Sequence, residues 1–416
     1  MQSPWDGWIP GVLNRPQVEK LYEQGCIKGV NDPDAAIGHS SLDLSLDNVG
    51  FRMLQGSVKP GTSDYFHLLQ NQALAKKLDA EPDGTYILKS KTTYVFKLRE
   101  RLTARLAEGG IYGQATAKSS IGRVDVLARL VVDGMDTYEK FEPGGLRNSS
   151  GDMYIEITPI TFDVKVRPGI YLTQLRFFYG RPQDVEMRGE ELFKTVLEGP
   201  GARDGSLTVH LENETWGGLS VAAFCANGGA SSTDPVPLWV EDERRCDPCR
   251  YWRFRESIGD RLKIEKEQFY ILRSKERIAV PAGIAIYCRA SDETIGEMRI
   301  HYAGFVHPLF GLRRKKGHGT PLIFEVRGHQ VDVSLADGEK MANLQFFRMS
   351  EDCSDEKQTA KSGKGNPSAK KPQPQRRRIA PSPYEDQTLK LSDFFSKWPK
   401  KLRKVDEDGT VEAAQK

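Results

Sequence analysis

Along the first 350 residues, short runs dominated by β-branched and aromatic side chains alternate with Gly- and Pro-punctuated breaks. Residues 154–157, 161–166 and 284–287 are examples. Runs of this length, closed by turns, read as strands, and their spacing predicts a sandwich, barrel or jelly-roll-like body over a parallel sheet. Helical periodicity is confined to two stretches, residues 15–24 and 185–197. From about residue 351 the apolar positions thin out and Lys, Ser, Gln, Pro and acidic residues take over. Such a segment buries too little apolar area to offset the entropy of ordering it, so 351–416 is expected to be a disordered tail.

The body repeats itself. Ser41-Leu42-Asp43-Leu44-Ser45-Leu46-Asp47-Asn48 is echoed by Ser206-Leu207-Thr208-Val209-His210-Leu211-Glu212-Asn213. Ile121-Gly122 is echoed by Ile295-Gly296, Tyr154-Ile155-Glu156-Ile157 by Ile323-Phe324-Glu325-Val326, and Leu175-Arg176-Phe177-Phe178 by Leu344-Gln345-Phe346-Phe347. The matches keep their order at a domain-sized offset, which excludes a short solenoid repeat. The expected organisation is a first copy over 1–182, a linker over 183–205, a second copy over 206–350 and the tail. The fold class is mostly β, twice over.

Composition adds limits. Lys plus Arg is 60 and Asp plus Glu is 57 in 416 residues, too balanced for a surface-wide field that would favour nucleic acid or membrane. The tail alone is basic, 15 cations against 11 acids. A mean hydropathy of −0.53 agrees with globular domains plus a polar part. No apolar run approaches the roughly 18–20 residues that span a bilayer, and residues 1–10 lack a signal-peptide pattern. Six unevenly spaced cysteines do not make a disulfide framework, so the expectation is a reducing, cytoplasmic setting. Lys370-Lys371 and Arg376-Arg377-Arg378 read either as a nuclear address or as solvating charge.

Three features can carry chemistry. Lys118-Ser119-Ser120-Ile121-Gly122-Arg123 offers two hydroxyls, a Gly turn and two cations, donors suited to a polyphosphate, although polar turns of this kind are common. Glu156 and Glu325 sit in apolar strand runs at repeat-equivalent positions; a carboxylate in a partly desolvated cleft can shuttle protons near neutral pH, and a solvent-facing strand glutamate is the plain alternative. Cys246-Asp247-Pro248-Cys249 is a lone C-x-x-C without the partners of a closed zinc site, so no zinc is expected. The zinc-deaminase signature, a Walker A string and a G-x-S-x-G elbow are all missing from the sequence.

Taken together, Ser40-Ser41-Leu42-Asp43-Leu44, Lys118-Ser119-Ser120-Ile121-Gly122-Arg123-Val124-Asp125-Val126 and Gln174-Leu175 resemble dCTP deaminase of the dUTPase-like superfamily. His301-Tyr302-Ala303-Gly304-Phe305, followed by Pro308 and Phe310-Gly311, resembles the superfamily's substrate-facing hairpin. The resemblance covers roughly residues 10–349 in the order of the tandem, double-length bacterial-type enzymes. It implies two β-clip, jelly-roll-like domains, a trimer-like homo-oligomeric assembly, and hydrolysis of dCTP to dUTP and ammonia without a metal at the base. It further implies magnesium carried by the triphosphate, a catalytic glutamate, a water-holding Ser119 and a charge-stabilising Arg123. Lys118, Ser120 and Gln174 fall on phosphate-contacting positions. Ala303, Gly304, Phe305 and His307 fall on the base- and sugar-facing hairpin, with His307 where relatives carry Asp.

The copies depart from the family in complementary ways. The second has Glu293-Thr294-Ile295-Gly296-Glu297 where the first has its hydroxyl-and-arginine string, and carboxylates there would repel phosphates. The first copy's hairpin, 131–145, lacks Ala-Gly-Phe. Two arrangements follow: a composite site joining Ser119 and Arg123 to Glu325, or a self-sufficient first copy using Glu156. dUTP diphosphatase activity, alone or combined with deamination, and a silent nucleotide-binding protein are the alternatives. In the tail, Thr388-Leu389-Lys390-Leu391-Ser392-Asp393-Phe394-Phe395 resembles a sliding-clamp-binding box, with Gln387 one place early and Leu391, Phe394 and Phe395 as anchors.

Overall fold

The computed structural model describes residues 3–59, 61, 64–241, 245–291, 298–301, 304–312, 319–353, 384 and 387–414, the segment 298–301 by its backbone. Ala303, the Glu293 to Glu297 string and the basic clusters at 370–378 lie outside the described residues.

The duplication is visible in the strand order. In the first half, antiparallel neighbours run Val126–Val132, Asp152–Pro159, Tyr94–Leu102, Leu42–Met53, Tyr171–Tyr179, Ile111–Ala117 and Lys140–Phe141. In the second they run Met298–His301, Thr320–Gly328, Phe269–Ile278, Ser206–His210, Lys340–Arg348, Ile284–Ala290 and Gly304–Val306. Each strand thus has a counterpart in the same place, and the two barrel-like bodies are mostly β. Alternation explains the strands locally. In Tyr94–Leu102, Leu98, Glu100 and Leu102 turn inward while Lys97, Arg99 and Arg101 turn toward solvent.

One inward position is a carboxylate in both halves. Glu100 accepts from Ser45 N at 2.7 Å and Ser45 Oγ at 2.6 Å. Glu276 accepts from Thr208 N at 2.7 Å and Thr208 Oγ1 at 2.8 Å. Each ties one central strand to the next, and each is buried with both carboxylate oxygens accepting a hydrogen bond.

Three expectations change. The first helix runs Arg15–Glu23, capped by Asn14, as the periodicity predicts, but the second is shorter, Glu190–Val196. The stretch 183–205 is not a free linker. Its strand Glu186–Met187 pairs with Lys340–Arg348, and Leu197–Glu198 pairs with Phe269–Ile278, so it completes the second sheet. The tail is not disordered throughout either: residues 387–414 lie on the body. Leu389, Leu391, Phe394 and Phe395 are buried in the larger apolar core, Phe395 against Tyr251 and Trp252 of the second half, Trp398 packs edge-on against Phe254 at 4.7 Å, and a hairpin pairs Leu402–Lys404 with Val411–Ala413. The apolar core is continuous across the boundary, with Phe162 of the first half against Tyr251 and Trp252 of the second. No helix among the described residues is long and apolar enough to cross a membrane.

Candidate active site

The strand Ile111–Ala117 runs directly into the one-turn helix Ser119–Gly122, because Lys118 stays extended and the chain then winds back on itself. Arg123 N donates to Ser119 O at 3.2 Å and Asp125 N to Gly122 O at 2.9 Å. Asp125 closes the turn in the left-handed region, φ 56°. This places Ser119 exposed, Ser120 half-buried and Arg123 inside, only 3% exposed. Lys118 Nζ pairs with the Asp43 carboxylate, and Gln174 lies beside it, its Oε1 accepting from Ser41 Oγ at 3.4 Å.

The opposite wall comes from the second half. The strand Thr320–Gly328 delivers Glu325, 7% exposed, onto the turn, so closely that a Cβ at Gly122 would overlap its carboxylate. The hairpin supplies Gly304, Phe305 and His307, and the strand Ile284–Ala290 supplies Cys288. The His307 ring is held at Nδ1, 3.3 Å from Ser40 Oγ of the first half. Together these residues line a cavity of 360 Å³, ordinary for a small-molecule site. Lys118, Ser119, Ser120, Arg123, Gln174, Gly304, Phe305, His307 and Glu325 are therefore brought together; Ala303 precedes this wall, outside the described residues.

Glu156 is elsewhere. Its carboxylate accepts from Arg129 Nε at 3.2 Å, Ser57 Oγ at 3.1 Å and Tyr138 OH at 3.1 Å, while the Arg129 guanidinium stacks 4.0 Å from the Tyr138 ring. It is 1% exposed and fully paired, away from the cavity. The repeat-equivalent glutamates thus have opposite surroundings: one is neutralised by an arginine and sealed, the other faces a cavity.

Electrostatics follow from burial. Loss of water pushes the Glu325 carboxyl well above the usual carboxylate range; Arg123 opposes this and Asp125 adds to it. Burial likewise lowers Arg123 below its ordinary value, with Tyr384, Glu325 and Asp393 pulling it back. His307 is held well below an ordinary histidine by burial and the nearby Arg176, His39 and Lys118, so its ring is neutral at pH 7. Burial and the neighbouring Glu325 push the Cys288 thiol up to about 12.

Sequence reasoning missed the cavity's roof. Tyr384 stacks on Arg123 at 4.0 Å, Gln387 Oε1 accepts from Arg123 Nη2 at 2.8 Å, and Lys390 O accepts from Nη1 at 3.1 Å. Gln387 Nε2 also donates to Pro321 O at 2.8 Å, spanning the two halves. The only signal was Gln387 beside an apolar cluster in a polar tail. The anchors of the clamp-like string, Leu391, Phe394 and Phe395, are spent in this packing. Among the described residues no group of three or more His, Cys, Asp or Glu is placed to hold a metal ion.

Two walls from duplicated β-barrel halves, one rich in donors and one bearing a desolvated glutamate, frame a cavity with the groups for acid–base chemistry on a small polar substrate. Residues 9–181 match the family model for the 2'-deoxycytidine 5'-triphosphate deaminase (DCD) N-terminal domain, and residues 205–395 match that for its C-terminal domain. The chain belongs to the 2'-deoxycytidine 5'-triphosphate deaminase family, hydrolases of a C–N bond. It is similar in structure to 2'-deoxycytidine 5'-triphosphate deaminase from Agrobacterium tumefaciens, with 26% identity and a TM-score of 0.72 over 82% of this chain and 96% of that one. No curated protein matches it in sequence.

Proposed function

We propose that the chain deaminates dCTP to dUTP and ammonia in a single composite site per chain. Ser119 holds a water against C4 of the cytosine. Glu325 takes a proton from that water as its oxygen bonds to C4, then delivers the proton to N4, which leaves as ammonia when the C4–N4 bond breaks. Arg123 orients Glu325 and stabilises the charge that develops on the way. Lys118, Ser120 and Gln174 take the phosphates, and Gly304, Phe305 and His307 take the base and sugar. The groups near the phosphate end are donors and a paired acid, which suits a triphosphate that brings its own magnesium. The observation that carries this reading is the meeting of Glu325 from one half with the Ser119 to Arg123 turn of the other.

The reading needs no second chain at the site, so a homo-oligomer would serve stability or regulation. A sliding-clamp partner for residues 388–395 would first have to pull Leu391, Phe394 and Phe395 out of the core. The test is a pair of isosteric variants assayed for ammonia release. Glu325→Gln removes the base and should lower kcat by about 10²–10⁴-fold, the usual span for a lost acid–base group. Glu156→Gln should leave kcat within a few-fold. The reverse result would place the chemistry in the first half alone.

A further inference from the structure

Arg123 is followed two positions later by Asp125, and Glu325 two positions later by Arg327, so the walls carry the same pair of charges in opposite order. Across the boundary the second pair closes. Arg327 Nε donates to Asp125 Oδ2 at 3.1 Å and Nη2 donates to the same oxygen, while Thr161 Oγ1 donates to it at 2.5 Å. Arg327 Nη1 is anchored on Glu267 O at 2.6 Å. The Asp125 side chain is fully buried and that of Arg327 is 13% exposed.

An ion pair is a poor way merely to glue two halves together, because desolvating both charges offsets most of their attraction. Here the geometry is also demanding. Asp125 holds φ 56°, and its Oδ1 is buried with no hydrogen-bond partner among the described residues. What the pair does fix is the placement of its neighbours. Asp125 N is bonded to Gly122 O and Asp125 O accepts from Ile160 N, both at 2.9 Å, so holding Asp125 holds the turn that ends in Arg123. On the strand Thr320–Gly328, residues 325 and 327 share a face, so a guanidinium pinned at 327 sets where the 325 carboxylate arrives.

We propose that Asp125 and Arg327 are positioning residues that lock Glu325 against the Ser119 to Arg123 turn across the boundary between the halves. The proposal rests on the composite-site reading above.

Charge gives it a signature that packing alone would not. Glu325 faces Arg123 and Asp125 from the first half, Cys288 from the strand Ile284–Ala290 and Tyr384 from the C-terminal segment, where Asp393 faces Arg123; Arg327 shares its strand, and His301 is its register partner. Removing the Asp125 anion makes ionisation of Glu325 easier, whereas removing the Arg327 cation makes it harder.

The experiment measures kcat, KM and the pH profile of kcat/KM for dCTP with Asp125→Asn, Arg327→Gln, Arg327→Lys and the Asp125→Asn/Arg327→Gln double variant, beside Glu325→Gln. Asp125→Asn should move the acidic limb to lower pH, Arg327→Gln to higher pH, and the double variant back between them. Both single variants should lose kcat by about 10–100-fold through misplacement, with KM changed only a few-fold, and Arg327→Lys should recover part of it. If Arg327→Gln does not fold, Asp125→Asn, isosteric and at home in the left-handed region, decides the matter by the same two readouts. Limbs that stay in place, or wild-type kcat in a variant whose melting temperature alone has dropped, would overturn the positioning role. Full turnover by Glu325→Gln would instead overturn the site reading beneath it.

Discussion

A carboxylate that must approach a turn closely leaves no room for a side chain on that turn, and Gly122 is the residue that provides the room. Its backbone is ordinary for a helix, so the glycine is required by contact and not by dihedral angle. Gly122→Ala should therefore be neutral or slightly favourable for the fold, since alanine in a helix is about 0.5–1 kcal/mol better than glycine. The displaced group is the flexible end of Glu325, and an ångström of misplacement can lower turnover by about 10²-fold. The expected result is an unchanged or higher melting temperature with kcat reduced by roughly that factor; retained turnover would mean that Glu325 can act from another position. Arg123→Ala should likewise abolish measurable turnover, but with lost stability as well, because it empties the contact with Tyr384, Gln387 and Lys390. The raised Glu325 carboxyl sets the sign of the pH dependence. The base form is lost as pH falls through the elevated value, so the acidic limb of kcat/KM should lie above the ordinary carboxylate range. At this scale the sequence was informative about residue types. Arg123 and Ser119 stood out in one string, and the repeat singled out Glu325 with Glu156. It was silent on which glutamate is sealed, because Arg129, Tyr138 and Ser57 converge on Glu156 only in three dimensions. The Asp125–Arg327 pair was hidden for the same reason, its members being 202 residues apart.

The C-terminal segment shows how an element can be misread from average composition. Over a polar stretch of 66 residues a few apolar positions carry little weight, yet Leu389, Leu391, Phe394 and Phe395 are close enough together to fill one patch of an existing core. Packing onto a formed surface needs few anchors, because the body has already borne most of the ordering entropy. Backbone pairing then holds the strap: Cys246 N donates to Phe394 O at 3.0 Å and Ser396 N to Cys246 O at 2.9 Å. The isolated C-x-x-C that suggested no zinc site thus lies beside this strap and serves as its backbone partner. A chain ending at residue 386 would expose a core face and remove the Gln387 bridge and the Lys390 carbonyl from Arg123. Burial of a large apolar side chain contributes about 1.5–3 kcal/mol, so four lost anchors should lower the melting temperature by on the order of 10 °C or more. KM for dCTP should rise with it. Calorimetry and steady-state kinetics on the truncated chain check both effects, and a truncated chain equal to the parent in both would show the strap to be passive cover.

For the whole molecule, duplication was legible because the strand repeat preserves spacing. The two halves carry the same seven-strand order, and the echoes at 154–157 and 323–326 fall on equivalent strands. The mutual fit of the halves was not legible. Its apolar part is aromatic packing of Phe162 on Tyr251 and Trp252, residue types that any core would use, and its polar part joins residues far apart in sequence. Nor does a sequence tell a linker from strands that complete a sheet, as 183–205 does, because two-residue pairings leave no periodic trace. The consequence is functional. The first half brings the donor turn to the cavity and seals its own glutamate, and the second brings a cavity-facing glutamate. The proposed composite site makes the halves interdependent for activity as well as for packing, and a split chain tests this. Residues 1–182 and 183–416, produced apart, should each release no ammonia from dCTP. Produced together, they should regain turnover, because the continuous core and the Gln387 and Arg327 bridges all join across the cut without needing the peptide bond. Turnover by the first fragment alone would show that Glu156 can be unsealed and used, and the composite site would then be wrong.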